Sequence, residues 1–251
     1  MEQNENIQTN SNIICGRNSV LEALRSGREI DRLLVAHGQS GGSVQAIIAK
    51  CSSRGILIKE VSPQKLDYLC AGSNHQGVAV MIAAQEYCEV SDILEFAKSK
   101  NEAAFIIICD ELEDPHNLGA IIRSAEAAGV HGIIIPKRRS ASLNATVAKS
   151  ASGALEYMRV ARVTNIANTI EELKEHGLWV YGADMDGKDY TTFDFSSPTA
   201  LVIGNEGRGI GRLVADKCDE IVSLPMFGKI NSLNASVAAG ILMYEVVRKR
   251  R

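Results

Sequence analysis

No apolar run in this chain approaches the roughly 18–20 residues that a membrane-spanning helix needs, so a bilayer span is not expected. The start of the chain, Met1 to Asn12, is polar and lacks the basic and apolar segments of a signal peptide; residues 1–11 are expected to form a disordered tail. Six cysteines are present without a C-x-x-C pair. That spacing argues against a zinc site or a disulfide framework and for buried free thiols in a reducing cytoplasm. Also missing are a G-x-G-x-x-G after the first strand of the larger domain, a G-x-x-x-x-G-K-[ST] and a G-x-S-x-G. These absences remove the dinucleotide-binding, P-loop NTPase and α/β-hydrolase readings. Net charge is only −3, which does not suit a protein that coats nucleic acid non-specifically.

What is present is the composition of a soluble globular protein, 45% hydrophobic and 23% charged over 251 residues, enough for two domains or one large one. Basic residues outnumber acidic ones over 11–85, acidic ones dominate 86–110, and the remainder balances. A local polyanion-binding surface or ordinary charge scatter would both give this distribution. Residues 12–84 alternate helix and strand signals: a helix from Gly16, strands at Ile30–Ala36, Ile56–Val61 and Val78–Ile82, and a helix capped by Ser62 ahead of Pro63. A small α/β domain follows. Its Arg17, Arg25, Arg28, Arg32 and Arg54 could grip phosphates or simply solubilise the surface. His75 sits in a polar loop with no nucleophile or orienting carboxylate near it in sequence, so it reads as an RNA contact or a loop residue. Residues 85–102 are acidic, with Val90, Ile93, Leu94 and Ala97 at helical spacing, and read as a linker ending in a short amphipathic helix.

From 103 to 251, buried-strand patterns (Ala103–Cys109, Val130–Ile135, Leu178–Gly182, Ala200–Ile203) alternate with helical ones, among them Asn144–Tyr157 and Ile166–His176. This order gives a mostly parallel sheet flanked by helices. Asp184–Ser197 reads as an acidic loop. In the last helix, from Ser232 to Arg248, Leu233, Val237, Ile241, Tyr244 and Val247 share one side. Ser232, Ser236 and Gly240 offer a narrow groove for close packing. Two strands end in Gly-rich and polar loops between Leu201 and Ser236, and strand ends are where such sheets bind ligands. Arg123, among apolar residues, is expected to be partly buried and paired.

Three stretches carry a resemblance: Asp114-Pro115-His116-Asn117-Leu118-Gly119-Ala120-Ile121-Ile122-Arg123-Ser124-Ala125; Leu201-Val202-Ile203-Gly204-Asn205-Glu206-Gly207-Arg208-Gly209; and Leu224-Pro225-Met226 with Ser232-Leu233-Asn234-Ala235-Ser236-Val237-Ala238. In this order and spacing they resemble the three motifs of the SpoU (TrmH-type) RNA ribose 2′-O-methyltransferases of the SPOUT superfamily. Residues 12–84 resemble the L30e-like substrate-binding domain of the subgroup that modifies 23S ribosomal RNA.

The resemblance implies an α/β fold whose C-terminal domain, residues 103–251, is tied in a trefoil knot. It implies S-adenosylmethionine held at Ile203, Gly204, Leu224, Met226, Ser232 and Leu233. It also implies a homodimer, while the cysteine pattern points to a cytoplasmic location and no metal. The catalytic positions it assigns are Arg123, Asn117, Glu206, Ser232 and Asn234, with Glu206 placed to pair with Arg123 or Asn117. RNA contacts fall to Arg17, Arg25, His75, Arg138 and Arg139. The implied reaction is methyl transfer from a sulfonium to the 2′-hydroxyl of a guanosine in 23S ribosomal RNA. A hydroxyl is a poor nucleophile, and a guanidinium resists deprotonation, so alkoxide stabilisation and phosphate positioning suit Arg123 better than a base role. A tRNA guanosine substrate, or an RNA-binding assembly factor without catalysis, are the alternatives.

Overall fold

A computed structural model describes residues 12–230 and 232–251; the expected tail, residues 1–11, lies outside the described residues. The chain separates into two compact units. One ends at Ala84 and takes in Ser142–Ala145; the other comprises Gln85–Ala141 and Thr146–Arg251.

The first unit is built on β1 (Ile13–Cys15), α1 (Arg17–Arg25), β2 (Ile30–Ala36), α2 (Gly42–Ser53), β3 (Leu57–Val61), α3 (Pro63–Leu69) and β4 (Val78–Ile82). Its sheet runs β1-β4-β2-β3, with β2 parallel to β3 and β4 antiparallel to both its neighbours. Strand alternation sorts the core into two layers. Leu33, Val35, Val78 and Val80 join Val20, Leu24 and Ile47 of α1 and α2 on one face, while Leu34, Ala36 and Ala79 join Leu66 of α3 on the other. Ser62 caps α3 by accepting from Lys65 N at 3.3 Å, ahead of Pro63 at the first helical position.

One cysteine expectation is overturned here. Cys15 and Cys70 form a disulfide, with Cα atoms 6.2 Å apart. The end of β1 and the C-cap of α3 meet in space although 55 residues separate them in sequence, a proximity that no local spacing could announce. Cys51, Cys88, Cys109 and Cys218 are free. Burial pushes their thiols up to about 11, 11, 12 and 12 respectively, which disfavours the reactive thiolate.

The second unit contains α4 (Val90–Ser99), β5 (Phe105–Cys109), α5 (Pro115–Ala127), β6 (Gly132–Pro136), all but the first residue of α6 (Ala145–Ala151), β7 (Val160–Val163), α7 (Ile166–Glu175), β8 (Trp179–Asp189), β9 (Thr199–Ile203), α8 (Arg212–Ala215), β10 (Glu220–Ser223) and α9 (Ala235–Arg250). All six strands are parallel, in the order β10-β8-β9-β5-β6-β7. Every residue of β5 and β9 is buried, as continuous apolar runs demand in a sheet covered on both faces. Ile106, Ile108, Ile134, Val180, Ala200 and Val202 face α4, α7 and α8 on one side. On this unit, α9 packs against α5 and β9.

Four expectations need correction. Residues 85–102 are not a tether: the apolar stripe of α4 puts Ile93, fully buried, into the same core as Ile106 and Ile134, and Cys88 bridges to Ala161. The helix expected over Asn144–Tyr157 breaks at Ser152 and Gly153, which take φ +49° and +88°. The first part of the loop expected over Asp184–Ser197, as far as Asp189, is instead a continuation of β8, with its pairing to β10 jumping from Gly182–Ile221 to Lys188–Val222. In α9, the buried side is Ala235, Ala239, Leu242, Met243 and Val246. The Val237–Ile241–Tyr244 stripe is exposed, and among the described residues nothing outside the helix's own backbone lies within 4 Å of where a Cβ at Gly240 would stand.

Two arginines of the basic run at 248–251 make structural contacts. Arg248 makes two hydrogen bonds to Glu245, at 2.8 and 2.6 Å, and holds its carboxyl below the usual range. The Arg250 guanidinium donates to the carbonyls of Phe195, Ala103, Ala104 and Ser197.

Candidate active site

The residues that sequence singled out for catalysis and cofactor binding follow the C-terminal ends of β5, β9 and β10, and the first two ends carry Asn117, Arg123, Ile203, Gly204 and Glu206. The β5 and β9 ends meet. They are tied to one another: Asp110 N donates to Ile203 O at 2.8 Å, and Gly211 N donates to the Asp110 carboxylate at 2.8 Å. Burial raises the Asp110 pKa above the usual carboxylate value, an effect the Gly211 N–H opposes. The loop after β9 closes on itself through Asn205 N to Gly209 O (3.0 Å) and Gly209 N to Asn205 O (2.8 Å). Gly204 lies so close to that closure that a Cβ would stand 2.5 Å from Ile210 N, so no side chain fits there. Asn205 stitches the loop further, accepting from Gly207 N and donating to Glu111 O.

Helix α5 opens with Asp114, whose side chain accepts from His116 N at 2.9 Å, and Pro115 follows at the first helical position. This cap fixes Asn117, which is buried. Asn234 meets it from the start of α9: its Nδ2 donates to Asn117 Oδ1 at 2.9 Å, while its Oδ1 caps α9 by accepting from Ser236 N and Val237 N. Capping and site assembly therefore coexist in one side chain. Gly119, two residues on, permits α6 to lie against α5, since a Cβ there would sit 2.8 Å from Val147 O.

Arg123 departs from expectation. It is exposed, and its contact is to Ser152 Oγ at 3.4 Å rather than to a carboxylate. Six residues separate it from Asn117, about 120° around a helix of 3.6 residues per turn, so the two side chains leave α5 in different directions. Glu206 is exposed, and among the described residues no ion pair joins it to Arg123. The structure therefore brings Asn117 and Asn234 together in one chain and leaves Arg123 and Glu206 apart.

At the implied cofactor positions, Ile203 and Gly204 are buried, Leu224 is half-buried, and Met226, Ser232 and Leu233 are exposed. Phe227 and Ile230 beside them are 96% and 74% exposed, an apolar patch that calls for a ligand or a partner. Half-buried and exposed apolar side chains beside backbone amides suit a group with an apolar ring and polar edges.

The expected RNA contacts divide by environment. In the first unit the Arg17 guanidinium donates to Gln76 O, Ser43 Oγ and Gln39 Oε1, at 3.0, 2.9 and 3.3 Å. His75 Nδ1 accepts from Gly77 N at 3.0 Å, so Nε2 carries the proton and donates to Asp67 at 3.0 Å. Both side chains hold the 71–77 loop in shape. Arg25 is exposed beside Glu22. In the second unit Arg138 is exposed and Arg139 binds Glu111 at 2.6 Å. Sequence reasoning missed Ser152, Asp110 and Glu111. Only Asp110 left a trace, as a carboxylate that ends a buried apolar run.

Residues 104–244 match the model of the SpoU rRNA methylase family, and residues 13–88 match that of the RNA 2′-O ribose methyltransferase substrate-binding domain. The chain is 52% identical over 238 residues to YacO of Bacillus subtilis, named for the TrmH family of tRNA/rRNA methyltransferases; the match covers 94% of this chain and 95% of YacO. A Staphylococcus haemolyticus protein named for the same family is 48% identical, with 95% and 96% covered. Among solved structures, the SpoU methyltransferase AviRb from Streptomyces viridochromogenes in complex with AdoMet aligns with a TM-score of 0.60 at 26% identity, covering 95% of this chain and 90% of that one. The AdoMet-bound rRNA methyltransferase from Sinorhizobium meliloti aligns with a TM-score of 0.60 at 28% identity, covering 94% and 86%.

Proposed function

The chain belongs to the SpoU (TrmH-type) family of RNA ribose 2′-O-methyltransferases, and from that premise we propose that its substrate is a guanosine of 23S ribosomal RNA. The observation that carries the catalytic reading is the Asn234–Asn117 hydrogen bond, which joins the first and third family motifs across 117 residues of sequence.

S-adenosylmethionine, when bound, supplies a methyl group activated by its sulfonium. The residues to hold it are Ile203, Gly204, Leu224, Met226, Ser232 and Leu233, at the end of β9 and on the segments that follow β9 and β10. Asn117, oriented by Asn234, positions the ribose. Arg123 stabilises negative charge developing on the 2′-oxygen while the hydroxyl proton leaves to solvent, because a guanidinium is an electrostatic partner and not a base near neutral pH. Ser232 bonds the substrate or the methionine end of the cofactor.

A homodimer belongs to the same proposal. Val237, Ile241 and Tyr244, spaced as i, i+4 and i+7, leave an apolar stripe on α9 exposed at 49%, 39% and 53%. An Arg123 and a Glu206 that do not meet within one chain can meet between two copies. Arg138, Arg139 and Arg25 are the exposed cations offered to RNA phosphates, with Arg17 and His75 shaping the loop that presents the first unit's polar groups. The 12–84 domain assignment, its role in RNA binding and a cytoplasmic location complete the reading.

The test is methyl transfer from labelled S-adenosylmethionine to 23S rRNA and to tRNA transcripts, followed by mapping of ribose methylation in total RNA from cells with and without the protein. A missing 2′-O-methylguanosine in 23S rRNA is the expected result. Transfer to tRNA alone would reassign the substrate. RNA binding without any transfer would make the protein an assembly factor.

A further inference from the structure

We propose that Glu111 is a positioning residue that sets RNA selectivity by holding Arg139 and Arg208 as a fixed pair at the rim of the site, an inference that rests on the RNA methyltransferase reading. Its carboxylate accepts from Arg139 Nη1 at 2.6 Å and lies 3.8 Å from Arg208 Nη1. Its backbone oxygen accepts from Asn205 Nδ2 at 3.2 Å. One residue thus links three loops: the one after β5, the basic one after β6, and the Gly-rich one after β9.

The backbone gives the second observation. Glu111 and Arg139 take φ of +51° and +54°, the left-handed region that side chains rarely adopt. Two disfavoured conformations stand at the two ends of one ion pair. Arg139 and Arg208 are 68% and 70% exposed, and ion pairs with so much solvent contact contribute little to stability. Strain held for so small a return is the pattern of a functional site. Each guanidinium has five N–H donors and directs one nitrogen, Nη1, at the carboxylate, so the others remain for phosphate oxygens. The carboxylate also offsets the positive potential of the pair, which lowers its pull on any RNA strand that cannot engage both arginines in this spacing.

Glu111→Gln preserves shape and removes the charge. The readouts are kcat and KM on 23S rRNA from a strain lacking the gene, S-adenosylmethionine affinity by calorimetry, and anisotropy of a labelled RNA hairpin of mixed sequence at two salt concentrations. Loss of one such contact predicts that kcat/KM falls about tenfold, within the range of a lost arginine contact to nucleic acid. Hairpin affinity should rise and grow more salt-dependent, while cofactor affinity stays within about twofold, since no cofactor contact is touched. In the Arg139→Ala, Arg208→Ala background the same substitution should have little further effect. Glu111→Gly, which relieves the left-handed strain, should unfold no earlier than wild type and still lose selectivity. Unchanged kcat/KM, a parallel loss of cofactor affinity, or a full effect persisting without the two arginines would overturn the role. Should wild type transfer no methyl to any RNA, the functional reading fails instead, and hairpin affinity that is unchanged in Glu111→Gln then overturns the role of Glu111.

Discussion

Asn234 donates its amide N–H to the Asn117 carbonyl oxygen at 2.9 Å and, with its other amide atom, caps α9. The two functions can be separated. Asn234→Ser retains a cap and loses the long-range bond, so thermal stability should stay near wild type while methyl transfer falls. Asn234→Ala should lose both, with about 1 kcal/mol less stability in urea unfolding from the missing cap. Asn117→Ala should abolish transfer and leave cofactor binding by calorimetry nearly intact; a large loss of cofactor affinity would count against its assignment to the ribose.

Among the described residues, the one polar contact of the Arg123 side chain is to Ser152. Arg123→Ala is therefore expected to fold as wild type in thermal denaturation and to lose transfer by roughly 10²–10³-fold, the scale of a removed charge-stabilising donor. Arg123→Lys should recover little of that rate, because a point charge lacks the planar fork. Ser152→Ala should cost far less than either.

Gly204 has no room for a methyl group against the closed Asn205–Gly209 loop, where the obstructing atoms are backbone. Gly204→Ala should weaken cofactor binding and lower stability by roughly 1–3 kcal/mol, the range for overpacking a rigid site. Equilibrium unfolding and calorimetry on one preparation check both.

His131 is buried, accepts from Phe105 N through Nδ1 at 2.9 Å, and turns Nε2–H toward Glu102 at 3.0 Å. Burial lowers its pKa, with Glu102 opposing that shift. A folded-state pKa below the unfolded value near 6.5 means that the unfolded chain binds the proton more readily. Stability contributed here is complete above about pH 6.5 and is lost as pH falls from there toward the folded pKa. Urea midpoints at pH 7.5 and 5.5 should show the loss in wild type and a smaller one in His131→Gln.

The exposed α9 stripe predicts the oligomer. Ile241→Asp should shift the protein from dimer to monomer in sedimentation while circular dichroism stays unchanged, and transfer should fall if Arg123 and Glu206 act between copies. A fully active monomer would sink the shared site.

Sequence alone determined much of this protein. Continuous apolar runs at Ala103–Cys109 and Ala200–Ile203 dictated buried parallel strands, because only strands covered on both faces are apolar at every position. Asp114 before Pro115 fixed where α5 begins, and the three motifs gave the family. These are local signals, each readable within about ten residues of chain. What only the tertiary structure decided involves partners far apart in sequence: Cys15 with Cys70, Asp110 with Gly211, Glu111 with Arg139 and Arg208, and Asn117 with Asn234. The same holds for which side of α9 is buried. Its Ala-rich face and its Val237–Ile241–Tyr244 stripe are both apolar, so periodicity could not choose between them, and the choice fell to the face that fits closely on α5 and β9. Distance in sequence carries no local chemical signature, and only the folded chain converts it into contact.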